Sequence, residues 1–166
     1  WLIKNVSSKN NKIFFRLSLN FLPFQVLILI LFFQIILGAF VSGLDAGQIY
    51  QTWPLMNESY VPNDLSFIAF QDLLNFDNHS LVQFYHRNLA YIIIFYVLFL
   101  IFYIYKKKLS ALYKPIKVLI FFLVLQIILG IFTLVSGLNI FLASAHQITS
   151  VLLIFSALNL YYFKAK

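Results

Sequence analysis

Four apolar stretches constrain this chain more than anything else in it: about residues 22–43, 81–105, 115–136 and 143–163. A hydrocarbon core about 30 Å thick is crossed by about 20 helical residues rising 1.5 Å each, and every stretch meets that length. Inside lipid the backbone N–H and C=O groups have no water to bond, so a lone spanning segment must satisfy them itself, as a helix. Composition agrees. Hydrophobic residues make up 62% and charged residues 10% of the 166 positions, far from the balance of a soluble domain. The expected fold is therefore an all-α membrane protein, a single four-transmembrane-helix bundle.

Charge orients the bundle. Lys4, Lys9, Lys12 and Arg16 precede the first span; Lys106, Lys107, Lys108, Lys114 and Lys117 join the second to the third; Lys164 and Lys166 close the chain. All five acids, Asp45, Glu58, Asp64, Asp72 and Asp77, fall between the first and second spans. The positive-inside rule then places both termini and the basic loop in the cytoplasm, or the matrix of an organelle. The 44–80 loop and the tight 137–142 turn face the other way. The net charge of +7 reads as topology and attraction to anionic lipid, with no nucleic-acid partner. Only Arg87 breaks the pattern, directly after His86.

An internal repeat divides the four spans into two tandem helical hairpins. Gln34-Ile35-Ile36-Leu37-Gly38 recurs as Gln126-Ile127-Ile128-Leu129-Gly130, and Ser42-Gly43-Leu44 as Ser136-Gly137-Leu138. Both hairpins start on the same side, so a two-fold axis along the membrane normal should relate them. Gln34, Gly38 and Ser42 share one helical face, as do Gln126, Gly130 and Thr133. Small residues there admit either another helix or a flat ligand. The first hairpin differs by its long outer loop. There Tyr50, Trp53 and Tyr60 suit an interfacial aromatic belt. Asp64 is placed to cap a short surface helix running through Asn75, with Leu65, Ile68, Ala69, Leu73 and Phe76 on one face.

The candidate chemistry lies in two histidines, one to two turns inside the second and fourth spans. His86 sits in Gln83-Phe84-Tyr85-His86-Arg87 and His146 in Ala143-Ser144-Ala145-His146-Gln147. Intramembrane ionisable groups are costly, and a repeat-matched pair would face across the two-fold axis, as two axial ligands of one iron must. Two nitrogens are too few for a closed zinc site, and no carboxylate lies within a turn of either histidine, which argues against a hard cation. Haem brings its own four equatorial nitrogens, and Ala90, Ala143 and Ala145 leave room for a planar group. Arg87 at the rim can meet haem propionates or snorkel to lipid headgroups. His79, at the junction of loop and second span, has no repeat partner and reads as solvated. The chain has no cysteine, which excludes thiolate sites, iron–sulfur clusters and covalent c-type haem. No paired carboxylate, phosphate loop or Ser/His/Asp set occurs within the spans.

Gly38-Ala39-Phe40-Val41-Ser42-Gly43-Leu44-Asp45-Ala46-Gly47, Thr52-Trp53-Pro54-Leu55-Met56, Val82-Gln83-Phe84-Tyr85-His86-Arg87, Leu129-Gly130 and Ala145-His146-Gln147 resemble the haem A synthase family. The resemblance implies an eight-span protein of two four-helix halves, of which this chain would be the C-terminal half, with Trp1 near the end of a fourth span. It implies a b-type haem on His86 and His146. It also implies a substrate, haem O, in the other half, beside a glutamate three residues before that half's first histidine. Here the corresponding place holds the neutral Gln83. The implied reaction oxidises the C8 methyl of haem O to the formyl of haem A for cytochrome oxidase, the fragment alone being inactive. Implied partners are the N-terminal half, a farnesyltransferase supplying haem O and a ferredoxin-type electron donor. Implied homes are the bacterial cytoplasmic membrane and the mitochondrial inner membrane. The alternatives are a stand-alone four-helix b-type electron-transfer cytochrome, and a structural or transport subunit whose histidines merely pack.

Overall fold

The computed structural model describes residues 18–65 and 69–165. Lys4, Lys9, Lys12, Arg16, Ile68 and Lys166 lie outside the described residues. Four long helices dominate: α1 (Leu22–Gly43), α2 (His79–Lys106), α3 (Tyr113–Val135) and α4 (Ile140–Ala165). Each is long and apolar enough to cross a membrane. The helices run one to three residues past most of the expected boundaries, because polar and basic residues cap and end them beyond the apolar core.

Those ends follow from local chemistry. Pro23 opens α1, where a missing N–H costs nothing. The Asn78 side chain accepts from Leu81 N–H and starts α2; Asn139 accepts from Phe141 N–H at 3.0 Å and starts α4. Both histidine-bearing helices thus begin from an asparagine cap about two turns before the imidazole. Helix α3 ends in a left-handed turn, with Gly137 at φ 70° and Leu138 N–H bonded back to the Thr133 carbonyl. The positive φ at Gly137 is easy only for glycine.

α1 packs along α2, α3 along α4, and α1 also meets α4, while α2 and α3 touch only lightly. The helices form an antiparallel ring, and this order puts α2 and α4 at diagonal corners. Large side chains such as Phe95, Phe102, Phe121 and Phe155 point outward. On a soluble protein such a surface would aggregate; on a membrane protein it meets acyl chains.

Packing differs along the bundle axis. At the basic end Phe24, Leu27, Leu100, Ile104, Leu119 and Leu160 are all at most 1% exposed. Tyr96 O–H donates to the Pro23 carbonyl, and Gln25 pairs with the Tyr161 hydroxyl there. Toward the other end no residue is fully buried after Leu31 on α1 or after Leu123 on α3. The same holds before Thr149 on α4, and between Gln83 and Ile93 on α2. The histidines lie in this open half.

The outer loop departs from the expected surface helix. Its described part holds two short 3-10 turns, Ala46–Gln48 and Phe70–Leu74, and in the second the Asp72 carboxylate accepts from Ala69 N–H. Asp64 has hydroxyl partners instead. Its two oxygens accept from Tyr50 O–H and Ser80 O–H, each at 2.6 Å, tying the loop to the first turn of α2. A carboxylate with two hydroxyl donors at hand gains more from them than from one amide at a fraying helix end. Tyr50 is correspondingly buried and leaves the aromatic belt, whereas Trp53 and Tyr60 stay exposed.

Candidate functional site

The site is assembled from the same three residue types in each hairpin. In the first, His86 on α2 lies against Gly38 of α1: a Cβ built on that glycine would stand 3.1 Å from His86 Cε1. In the second, His146 on α4 lies against Gly130 of α3, with the corresponding distance 2.9 Å. Any larger residue would push the imidazole away, so each glycine is the floor of a ring-sized slot. One turn before each glycine stands the repeated glutamine. Gln34 Nε2 is 3.4 Å from His86 Nε2, and Gln126 Nε2 is 3.2 Å from His146 Nε2.

Hydrogen bonding assigns the tautomers. His146 Nδ1 lies 3.1 Å from the main-chain carbonyl of Gln126, which can only accept, so Nδ1 carries the proton and Nε2 the lone pair. In the first hairpin the amide fixes the tautomer. Gln34 Nε2 donates to the His86 carbonyl at 3.0 Å, so the atom facing His86 Nε2 is nitrogen, and the ring nitrogen must accept. Both imidazoles therefore turn Nε2 lone pairs toward amide donors. Among the described residues four buried side-chain polar atoms lack a partner: Gln34 Oε1 and His86 Nδ1 in the first slot, Gln126 Oε1 in the second, and Gln83 Oε1 under the outer loop. Such atoms are rare in a finished interior.

The histidines sit on diagonal helices in the open half of the bundle. Ala90, Ala143 and Ala145 are partly buried beside them. His79 is apart, exposed at the start of α2. Among the described residues no group of three or more His, Cys, Asp or Glu side chains gathers as a closed metal site would need.

Arg87 takes a place that charge reasoning from sequence did not foresee. Its guanidinium donates to the carbonyls of Tyr50 (2.8 Å), Thr52 (2.9 Å) and Leu55 (3.3 Å). Gln83, only 3% exposed, donates to the same Tyr50 carbonyl at 2.9 Å. These residues clasp the outer loop over the rim of the site. In the loop, burial pushes the Tyr50 hydroxyl above its usual range, and the bond to Asp64 adds to that. Burial also opposes ionisation of Asp64, but the bonds from Ser80 and Tyr50 outweigh it and hold the carboxyl below its usual value. The Ala46-Gly47 element of the first loop is buried against the turn of the second hairpin, where a Cβ on Gly47 would meet Leu138 Cδ2 at 2.8 Å.

Sequence reasoning had both glutamines and both glycines on one face but did not connect them to the histidines. The usable signal was the repeat itself: Gln-x3-Gly on the first helix of each hairpin and His on the second, at matching depth.

An all-α bundle of four helices, each able to span a bilayer, defines an integral membrane protein. The comparisons with known proteins make that class particular. The profile of the cytochrome oxidase assembly protein family COX15-CtaA matches residues 3–158, so the chain belongs to that family. It is 43% identical over 139 residues to the heme A synthase of Pelagibacter ubique, a match covering 82% of this chain and 39% of that protein. It is 41% identical over 133 residues to the heme A synthase of Wolbachia pipientis wMel, covering 80% and 36%. The chain thus spans about two fifths of the length of these relatives. No solved structure matches it.

Proposed function

We propose that this chain is the cofactor-holding part of a haem A synthase, in which His86 and His146 hold one b-type haem between diagonal helices. The observation that carries the reading is the repeat-matched pair of Gln-Gly-His slots, each presenting an Nε2 lone pair in the loosely packed half of the bundle. The residues fit the group on three counts. Two neutral imidazoles are the donor set a haem iron takes. Gly38 and Gly130 keep clear the space a Cβ would fill, and unpartnered polar atoms lie buried beside both rings.

Bound haem would supply one-electron transfer to an oxidation carried out elsewhere in a longer protein. This chain's residues hold and orient. The Gln126 carbonyl fixes the His146 tautomer, and the basic end of the bundle keeps the helices in register. Arg87 keeps the outer loop down and places a positive charge at the rim, where propionates would lie. Gln83 is a neutral amide buried under that loop and offers no carboxylate to abstract a proton, which supports placing the haem O methyl oxidation in the other part of the protein. On this reading the farnesyltransferase and the ferredoxin-type donor serve the full-length protein. The basic loop faces the cytoplasm or matrix, and the site lies toward the outer side.

The test is spectroscopic. Full-length protein loaded with hemin should give a six-coordinate, low-spin signal assignable to this half. His86→Ala and His146→Ala should each abolish it; a signal surviving both would end the bis-histidine assignment. Residues 1–166 by themselves should not convert haem O to haem A, and turnover by them would overturn the division of labour.

A further inference from the structure

We infer that Gln34 and Gln126 are positioning residues whose amide N–H groups occupy the histidine Nε2 lone pairs in the metal-free protein and are displaced when haem iron binds. The inference rests on the haem reading above and deepens it.

Three observations carry it. The amide nitrogens sit 3.4 Å and 3.2 Å from the Nε2 atoms, on the nitrogens that the tautomer assignment leaves free to bind a metal. The arrangement occurs twice, at repeat-matched positions on different helices, so accidental packing would have to occur twice. And in both copies the Oε1 of the same amide is buried with no partner. In both hairpins the amide is satisfied only through its nitrogen: Gln126 by its imidazole, Gln34 by its imidazole and the His86 carbonyl.

The two copies also differ in a way that yields distinct expectations. Gln34 Nε2 has a second acceptor, the His86 carbonyl, and stays anchored after displacement. His146 has a second tautomer lock, the Gln126 main-chain carbonyl, which no side-chain substitution removes. The His86 ring also meets the Gln34 main chain, but in weaker geometry, and its Nδ1 completes no hydrogen bond there. The side chain of Gln34 is therefore the firmer hold on the ligating tautomer of His86, whereas Gln126 caps a ring already locked.

Metal-free, full-length protein with 15N-labelled histidine reads the tautomers directly by NMR. Wild type should show both rings protonated at Nδ1. Gln34→Leu should shift His86 toward the Nε2–H form, while Gln126→Leu should leave His146 unchanged. On hemin titration, Gln34→Leu should weaken formation of the six-coordinate species by roughly tenfold or more, as loss of an outer-shell partner does. Gln126→Leu should load at least as fast as wild type, because one competing bond is gone. A wild-type His86 protonated at Nε2 would overturn the inference, and this measurement stands even if a variant does not fold. So would Leu variants with unchanged tautomers and loading. The expected tautomers without any six-coordinate signal in wild type would overturn the haem reading, and with it the displacement, while leaving the amide–imidazole pairing in place.

Discussion

The two hairpins carry the same kit on different scaffolding. Each sets an imidazole against a glycine and caps it with a glutamine. The second closes its outer end with a short turn through Gly137 and Leu138, and its histidine is gripped at both ring nitrogens. The first closes through the 44–78 connection, clasped by Arg87, Gln83 and Asp64, and its histidine is held less firmly at Nδ1. A short loop leaves little to hold down. A long one must be tied by polar bonds, because a flexible connection regains entropy whenever it lifts. The second hairpin is stiff by its turn, and the first only by its clasp.

The sharpest way to break this comparison is to fill both glycine slots. Gly130→Ala places a Cβ 2.9 Å from a ring held by two bonds, so the ring cannot yield cheaply. Overpacking of that kind costs about 1–3 kcal/mol, more than the gain of up to about 1 kcal/mol from replacing a helical glycine. Gly38→Ala meets a freer ring at 3.1 Å and should be near neutral. Thermal unfolding in detergent should rank Gly130→Ala well below Gly38→Ala; equal melting would mean that the second ring is no stiffer than the first.

Arg87→Ala tests the clasp. It removes charge-assisted bonds to three loop carbonyls, of which the ones at Thr52 and Leu55 can turn to water. The loss should be about 1–2 kcal/mol of local stability, or roughly tenfold faster amide exchange over residues 50–57. The 136–139 turn should keep its protection. Matched loosening of both outer ends would show one cooperative unit rather than two.

The smallest effect is expected from pH. The Asp64 carboxyl is held below its usual value of 3.8 in the folded loop, so it ionises more readily there than in the unfolded chain. Its contribution is fully present above that value and is lost as pH falls through the lower, folded one. Exchange of the first loop should therefore rise only at strongly acid pH. Asp64→Asn should flatten the dependence, and the second hairpin's turn, which has no acid, should not respond. A loop that loosened near neutral pH would place the control elsewhere.

Much of this was legible along the chain. Apolar length and the lack of solvent for backbone groups compelled four helices, whose bounds moved by no more than three residues. The repeat announced two hairpins, and the histidine pair stood out because ionisable groups in lipid are scarce. The Asp64 surface helix went wrong because capping propensity is local, whereas Tyr50 and Ser80 reach Asp64 across fourteen and sixteen positions. Arg87 was read by charge, yet its partners are main-chain carbonyls more than thirty positions away, which no side-chain pattern encodes.

Sequence by itself determined the helices, their grouping into hairpins and the pair of candidate ligand residues, because hydropathy and repetition act residue by residue. Tertiary structure alone decided which atoms of those residues are available. An imidazole's lone pair goes to whichever nitrogen its neighbours leave unprotonated, and those neighbours, Gln34 and Gln126, come from the facing helix.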